Sequence, residues 1–293
     1  MKYIDRKGKI TIEESKQDQL LEWLYGHALG RAVLKLLVQP ILSKIGGWFL
    51  NTKLSLCFVK PFVKSNGIDL SVCKKQSFDS YNDFFKRKLK VRQRPVCQNE
   101  NIVVSPCDGK LSVYDIGENC QFRIKHTVYT VQSLLHSKKL AESFQGGMAC
   151  VFRLTVDDYH RYIYIDDGVK TKNHKIEGIL HTVNPIANDF YPIYKENARE
   201  FCLLNSAHFG KILVMEVGAL MVGKICNDHE DCVVKKGVEK GHFEFGGSTI
   251  VVLFQKNQVL LDADILENTK QGYEIIVKMG EGIGKRRCGT EKR

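Results

Sequence analysis

The first 75 residues and the rest of the chain carry different patterns of hydrophobic and polar positions. Between residues 13 and about 65, apolar positions recur at helical spacing and are interrupted by lysines and arginines. Pro40 falls inside this run and is expected to break or kink it. No stretch reaches the roughly 20 uninterrupted apolar residues that a membrane-spanning helix needs. The pattern therefore predicts amphipathic helices in an N-terminal region, residues 1–75.

Two interpretations of these helices stay open on the pattern alone. Apolar stripes that carry Trp23 and Trp48 beside lysines and arginines fit helices lying in the interface of a lipid bilayer. Helices that pack the same stripes onto their own domain would show the same pattern.

From residue 100 onward the pattern changes to short apolar runs separated by glycine, asparagine and aspartate. Runs with the length and β-branched content of buried strands lie at 102–104, 149–154, 211–217 and 249–254. Turns connect these runs, and only one helix is predicted, over 130–140, so the arrangement favours antiparallel pairing. We therefore predict an α+β fold, with the N-terminal amphipathic helices followed by a β-rich, mainly antiparallel catalytic domain over residues 76–293.

The chain is basic, with a net charge of +11 and a pI near 9.1. Six of the nine residues from 86 to 94 are lysine or arginine. Such an excess fits nucleic acid or an anionic bilayer as a partner, or simply a solvated basic surface. Because the chain has no helix-turn-helix signal, finger spacing or aromatic-interleaved motif, no nucleic-acid partner is predicted.

Ten cysteines are scattered along the chain without a Cys-x-x-Cys pair and without a signal peptide. This usage is typical of reduced thiols in a cytosolic protein. Cys226, His229 and Cys232 are spaced closely enough to suggest a metal site. Because no second ligand pair follows at short spacing, we interpret the segment as a polar loop between two strands and predict no metal site.

Candidate chemistry lies at Gly246-Gly247-Ser248-Thr249, just before the last of the predicted strands. The hydroxyl of a serine can turn back onto the preceding carbonyl, and a glycine there leaves the strained backbone unobstructed. The same four residues also fit an ordinary turn that leads into a strand. The rest of the sequence has to decide between the two.

Four segments, in this order, resemble the phosphatidylserine decarboxylase family. They are residues 80–89 with Arg94-Pro95, the Asp-Gly turn in 105–110, the Asp-Asp-Tyr-His-Arg box at 157–161, and Gly-Gly-Ser-Thr at 246–249. Together they extend over residues 80 to 260, whereas the first 75 residues carry little of the resemblance.

The resemblance implies a proenzyme that cuts itself between Gly247 and Ser248. Attack of the Ser248 hydroxyl on the Gly247 carbonyl, β-elimination and hydrolysis would leave a pyruvoyl group and ammonia. Chains 1–247 and 248–293 would form a heterodimer, and the sequence leaves any higher oligomer open. The amine of phosphatidylserine would then form a Schiff base with the pyruvoyl group, and loss of carbon dioxide would give phosphatidylethanolamine.

The resemblance also assigns roles to single residues. Asp108 would serve with a histidine and Ser248 in the cleavage, and His160 would move protons near the pyruvoyl group. Many family members carry a second histidine three residues after the first, as the base for cleavage, but this chain has Ile163 there. Either His160 covers both steps or another histidine takes the place, and our preferred substitute is His181.

The basic residues Arg161, Lys125 and His126 are candidates for binding the phosphate or carboxylate of the substrate, since cations with several donors suit such groups. A lipid substrate favours the interfacial interpretation of the helices. We therefore expect a peripheral protein on the cytoplasmic side of the cell membrane, bound to phosphatidylserine in an anionic bilayer.

Two other functions fit the same sequence. One is a noncatalytic membrane-associated homologue that keeps the fold without processing, which the isoleucine at position 163 would allow. The other is a pyruvoyl decarboxylase of a water-soluble amino acid. An uncut chain would favour the first, and assays with the lipid and with soluble phosphoserine would test the second.

Overall fold

A computed structural model of the chain describes residues 2–12, 16–124, 126–219, 224–244 and 248–287. Of the residues named above, Lys125, Gly246 and Gly247 lie outside these ranges. The predicted cleavage bond is therefore described only on its Ser248 side.

The helices of the described residues are concentrated in the N-terminal part. They are α1 (Lys16–Gly26), α2 (Ala28–Leu37), α3 (Pro40–Leu50), α4 (Val59–Ser65), α5 (Tyr81–Phe85), α6 (Val131–Leu135), α7 (Lys138–Glu142), α8 (Pro185–Asn188), α9 (Ile193–Glu196) and α10 (Ala263–Lys270). Short 3₁₀ turns lie at Lys53–Phe58, Leu70–Val72 and Glu118–Cys120. The predicted N-terminal helices are confirmed, and so is the break at Pro40. Helix α2 ends at Leu37 and Pro40 begins α3, where its missing N–H is harmless in a first turn.

Among the described helices, none taken singly combines the length and apolarity needed to cross a membrane. Residues Ala28–Leu37 and Ile41–Leu50 meet those criteria only as a pair, and their axes are bent by 63°.

Two strands precede the N-terminal helices, and the other strands of the described residues lie from Ile102 onward. They are β1 (Lys2–Asp5), β2 (Ile10–Ile12), β3 (Ile102–Val104), β4 (Gly109–Asp115), β5 (Gln121–Ile124), β6 (Thr127–Thr130), β7 (Met148–Leu154), β8 (Arg161–Ile163), β9 (Gly168–Lys170), β10 (His174–Ile176), β11 (Arg199–Ser206), β12 (Lys211–Val217), β13 (Ile225–Asn227), β14 (Cys232–Val234), β15 (Glu239–Phe243), β16 (Ser248–Phe254), β17 (Val259–Leu261), β18 (Glu274–Val277) and β19 (Gly282–Arg286). All four runs predicted as strands are confirmed to within one residue.

Most of these strands join one large sheet in the order β14-β9-β11-β12-β16-β7-β4-β18-β1-β2, with β10 paired to β11. Its neighbours are antiparallel except for β1 and β18. Smaller sheets have the orders β13-β15-β8 and β17-β19-β3, and β5 pairs with β6. The predicted α+β, mainly antiparallel fold is confirmed.

Two local predictions differ from the structure. Strands β1 and β2 precede the helices inside the region expected to be helical, because β1 pairs with β18 from the opposite end of the chain. The helix predicted over 130–140 is two helices, α6 and α7. His136 takes a left-handed conformation between them, and Ser137 accepts a hydrogen bond from the amide of Leu140 to cap α7.

The large sheet carries a hydrophobic core on each face. Along β16, Ile250, Val252 and Phe254 belong to the core that also contains Tyr162 of β8 and Phe243 of β15. Val251 and Leu253 belong to the opposite core, which contains residues of α1 and α2. Because side chains alternate along a strand, Ser248 projects toward the face covered by the β13-β15-β8 sheet.

A buried ion pair lies between these two sheets. Lys240 Nζ is 2.8 Å from Glu216 Oε1 and donates to Asn227 Oδ1 at 2.6 Å. The Asn227 amide in turn donates to Glu200 and Glu216, at 2.7 and 3.2 Å. Both members of the pair have at most 1% of their side-chain surface exposed. Each charge is therefore kept in the interior by the other.

We expect a Lys240→Met protein to lose about 3–5 kcal/mol of unfolding free energy, because Glu216 would be left buried without its counter-charge. Urea denaturation of the purified protein measures this loss. Lys235→Met is the matched control, since Lys235 pairs with Asp167 at an exposed position and its loss should change stability by less than about 1 kcal/mol. Equal effects of the two substitutions would contradict the assignment.

Candidate active site

Ser248 begins β16, a strand inside the large sheet. It is the register partner of Leu154, the last residue of β7, and on the other side Thr249 pairs with Val217, the last residue of β12. The Ser248 side chain is completely buried, and its Oγ has no hydrogen-bond partner among the described residues. A buried hydroxyl without a partner is unfavourable for folding, so this serine is a candidate for a functional role.

The starts of β4 and β16 flank the end of β7, which places Asp108 and Ser248 at the same end of the sheet. Asp108 immediately precedes Gly109, the first residue of β4, and Lys110 pairs with Arg153 of β7. Since neighbouring strands are about 4.8 Å apart, the backbones at 108 and 248 lie roughly 10 Å apart, on either side of β7.

Glycine is required beside Asp108. Gly109 has a φ of +157°, and a Cβ there would come within 2.9 Å of the carbonyl oxygen of Arg153. The Asp-Gly sequence thus lets β4 start in close contact with β7.

The Asp108 carboxylate is held mainly by Arg94. Arg94 Nε and Nη2 donate to its two oxygens at 2.7 and 2.5 Å, and the amide of Met279 donates to Oδ1 at 2.9 Å. Lys278 Nζ lies 3.6 Å from Oδ2. Asp108 also lines a cavity of about 270 Å³ with Arg87, Arg94 and Lys278. The carboxylate is therefore held in position by three neighbouring donors.

His160 lies in the connection from β7 to β8, on the side of the sheet to which Ser248 projects. Its carbonyl accepts the amide of Phe243 at 2.9 Å, five residues before Ser248. Its ring is completely buried, and the centroid is 4.1 Å from that of Phe85. The residue is thus tied to the strand that leads toward the cleavage segment.

The contacts of the His160 ring fix its tautomer. Nδ1 lies 2.9 Å from the carbonyl oxygen of Asp158, which can only accept, so Nδ1 carries the hydrogen and Nε2 carries the lone pair. Nε2 is buried and has no partner in the part of the chain that the structure describes. Burial lowers the pKa of His160 to about 4, so the ring is neutral near pH 7. A neutral imidazole with a free acceptor nitrogen can take a proton.

Asp158 builds the loop that presents His160. Its carboxylate accepts from Lys110 Nζ at 2.7 Å and from the amide and hydroxyl of Thr155 at 2.8 and 2.9 Å. Burial alone would raise the pKa of Asp158, but the charge and hydrogen bond of Lys110, the Thr155 amide and the charge of Lys278 together lower it. We did not assign this role from the sequence, although an aspartate three residues after a threonine is a recognisable turn signal.

His181 lies beyond β12, on the other side of Ser248. The Asn197 side chain donates to the carbonyl oxygens of both His181 and Gly218, at 2.8 and 2.7 Å, and Gly218 directly follows β12. The imidazole stacks on Tyr191 with centroids 4.8 Å apart. Burial lowers its pKa to about 4. His181 therefore approaches the same end of the sheet through its backbone.

The ring nitrogens of His181 already face other groups. The Tyr25 hydroxyl accepts from the amide of Thr182 and lies 3.1 Å from His181 Nδ1. Nε2 lies 3.4 Å from Glu196 Oε2 but makes no hydrogen bond with a described residue. One ring nitrogen of His181 is therefore engaged by Tyr25, and the other faces a carboxylate.

The remaining predicted residues lie apart from Ser248 or are otherwise engaged. The Arg161 guanidinium donates to the Lys86 carbonyl at 2.9 and 2.7 Å and pairs with Glu239. His126 is exposed in the turn between β5 and β6. Ile163 is buried in β8, and its amide donates to the Pro106 carbonyl at 2.9 Å, in the turn before Asp108.

Comparisons with known proteins identify the family of the chain. The family model described as phosphatidylserine decarboxylase matches residues 81–285. A Clostridium acetobutylicum protein named phosphatidylserine decarboxylase proenzyme 2 is 45% identical over 277 residues, covering 94% of this chain and 95% of that protein. A Clostridium perfringens protein named phosphatidylserine decarboxylase proenzyme is 40% identical over 291 residues, covering 97% and 99%. The chain therefore belongs to the phosphatidylserine decarboxylase family.

Proposed function

We propose that the chain decarboxylates phosphatidylserine after cutting itself between Gly247 and Ser248 to make a pyruvoyl group. The word proenzyme in the names of its relatives supports a processed enzyme. The observation that carries the proposal is that Ser248 Oγ and His160 Nε2 are both among the buried polar atoms that lack a hydrogen-bond partner in the described residues. The two residues lie toward one end of the sheet, where Ser248 begins β16 and His160 directly precedes β8.

In this proposal His160 is the base for the cleavage. Its Nε2 removes the proton from Ser248 Oγ, which attacks the Gly247 carbonyl carbon. The Gly247–Ser248 C–N bond then breaks, the His160 proton passes to the Ser248 nitrogen, which becomes a free amine, and an ester replaces the amide. Loss of the Ser248 α-proton then expels the Gly247 carboxylate and leaves a dehydroalanine. One water hydrolyses it to the ketone and releases ammonia.

The surroundings of Ser248 fit a pyruvoyl group. Its hydroxyl makes no hydrogen bond with a described residue, so replacing it removes no stabilising contact. When formed, the ketone supplies the electron sink that decarboxylation of an amino acid requires. His160 can hold or return a proton at Nε2, and the neighbouring core residues Leu154 and Ile250 exclude water.

The strand pairing supports a heterodimer after cleavage. The proposed small chain, 248–293, begins with β16, which pairs with β12 along one edge and with β7 along the other. It also contributes β18, which pairs with β4 and β1. Cutting one peptide bond before Ser248 leaves these ladders in place.

To test the substrate, the processed protein would be incubated with phosphatidylserine in mixed micelles and, separately, with soluble phosphoserine, and released carbon dioxide would be measured. We expect release with the lipid and at least about tenfold less with phosphoserine, because binding energy from the rest of the lipid is lost. Equal rates would favour a decarboxylase of a soluble amino acid.

We further propose that α2 and α3 hold the protein on an anionic membrane surface. Leu29, Leu36, Ile41 and Trp48 are each 70–72% exposed on these helices. Single exposed apolar residues are common, but a group of them on adjoining helices supports an interfacial surface.

A Leu36→Ser/Trp48→Ser protein is expected to bind phosphatidylserine-containing vesicles at least about tenfold more weakly, because two apolar side chains no longer enter the interface. Vesicle co-sedimentation measures this. The matched control is Val91→Ser/Val233→Ser, since these valines are 80% and 76% exposed outside the two helices. If the two double variants bind equally, another surface contacts the membrane.

A further inference from the structure

Three side chains with metal-binding chemistry meet beside the cleavage segment. The thiol of Cys226, the imidazole of His242 and the carboxylate of Glu244 each offer a ligand atom, and these atoms lie within 4.8 Å of one another. Cys226 of β13 is the register partner of His242 in β15, and Glu244 follows β15. Since residues two apart on a strand share a face, His242 and Glu244 are presented together.

One ring nitrogen of His242 makes no hydrogen bond with a group of the described residues. His242 Nδ1 is buried and has no hydrogen-bond partner in the described chain. A buried nitrogen of this kind needs a partner, which a metal ion would provide.

We propose that Cys226, His242 and Glu244 bind a zinc-class divalent cation, with the fourth position of a tetrahedral site left to water. Thiolate with imidazole selects zinc over magnesium or calcium. Ligand atoms lie about 2.0–2.3 Å from zinc, so the three side chains must close slightly from their present separation. Binding releases the Cys226 thiol proton to solvent.

Charge around the group is compatible with the cation. Glu244 lies 3.5 Å from Lys86 Nζ and 3.1 Å from Lys224 Nζ. Both lysines have exposed surface, 32% and 68% of the side chain, so each can turn toward solvent when zinc takes the carboxylate. The thiolate then adds a second negative charge beside the ion.

The site differs from the spacing that the sequence suggests. The loop between β13 and β14 is polar, as predicted, and His229 Nδ1 in it lies 3.3 Å from the Tyr164 hydroxyl. Cys232 is in β14 and pairs with Lys170 of the large sheet. Cys226 therefore meets His242 and Glu244 across the β13–β15 strand pair rather than within its own loop.

Zinc binding by the full chain tests the proposal. Titration against a chromophoric chelator should show one tight zinc per chain, and Cys226→Ser and His242→Gln should each weaken it at least about tenfold. Cys232→Ser, another half-buried cysteine, should leave it unchanged. With cobalt as the probe, a thiolate-to-metal absorption should appear and be lost only in Cys226→Ser. Circular dichroism checks that each variant is folded.

Unchanged zinc affinity in folded Cys226→Ser and His242→Gln proteins would overturn the site, and so would loss of binding in Cys232→Ser. Glu244→Gln provides a third variant that keeps the side-chain size. It should weaken binding in the same direction, because the amide is a poorer ligand than the carboxylate.

Bound zinc is expected to slow maturation because of where the site lies. This expectation rests on the proposed function. Glu244 is three residues before Gly247, so a bound cation would anchor the segment that must reach Ser248. Cleavage of newly synthesised chain should be slower with zinc than with a chelator, and Cys226→Ser should abolish the difference. Zinc binding without this effect would overturn the link to maturation. A chain that never cleaves would refute the proposed function, while the titration would still decide the site.

Discussion

A Ser248→Ala protein is expected to remain a single chain of 293 residues and to release no carbon dioxide from phosphatidylserine. Alanine has no hydroxyl to attack the Gly247 carbonyl, and no ketone can form from it. The same substitution should not reduce stability. Ser248 Oγ is buried without a partner among the described residues, so removing it takes away an unfavourable group.

Denaturing gel electrophoresis measures cleavage, and urea unfolding measures stability. Ser55→Ala is the matched control, because Ser55 is also fully buried but its hydroxyl donates to Leu50 and accepts from the amide of Tyr81. The control should cleave normally and lose about 1–3 kcal/mol. A Ser248→Ala chain that still splits at the same place would remove Ser248 from the chemistry.

A His160→Gln protein is expected to cleave about 10²–10⁴-fold more slowly, because glutamine cannot accept the Ser248 proton at neutral pH. Glutamine can still donate to the Asp158 carbonyl, so the loop should keep its shape. The cleavage rate of freshly synthesised chain, followed by the appearance of the small chain, measures the effect.

A His181→Ala protein tests which of the two histidines is the base for cleavage. Because His181 Nδ1 already contacts the Tyr25 hydroxyl and Nε2 faces Glu196 at 3.4 Å, we expect this variant to cleave within a few-fold of the normal rate. A block in folded His181→Ala protein, with His160→Gln unaffected, would assign the base to His181 instead.

The pH dependence of cleavage tests whether the base is a buried histidine, and it does not separate His160 from His181, since burial lowers the pKa of both to about 4. Burial lowers the pKa of His160 to about 4, and only the neutral ring can accept a proton. The rate should therefore stay level from about pH 8 to about pH 6 and fall as the pH approaches about 4. A fall centred near pH 6.5 would indicate an ordinary solvent-exposed histidine as the base.

The sequence pattern predicts the central strands well because their local preference and their buried position agree. The runs at 211–217 and 249–254 are rich in β-branched and apolar residues, and both become buried strands of the large sheet. The short N-terminal strand β1 could not be predicted in this way. Its pairing partner β18 is about 270 residues away, so its structure depends on tertiary contact.

The candidate site, too, is predictable from the sequence only in part. Motifs identify Ser248, Asp108 and His160, and the strand register gathers them at one end of the sheet. The contacts that set their chemistry form only when the chain folds. Arg94 holds Asp108, and the Asp158 carbonyl fixes the His160 tautomer, neither of which residue spacing reveals.

The cross-strand pairing of Cys226 with His242 is likewise invisible in the sequence. The spacing to His229 and Cys232 draws attention to a loop, whereas the register of β13 against β15 selects a residue 16 positions farther along. Short-range spacing identifies a site only when its ligands share one local element.

An intact mass spectrum of the purified, denatured protein tests the central proposal most directly. The proposal predicts two chains that separate between Gly247 and Ser248, with the smaller one lighter by one ammonia than a peptide that begins with serine. A single uncut mass for the full chain, from protein that is folded and held near neutral pH, would contradict it.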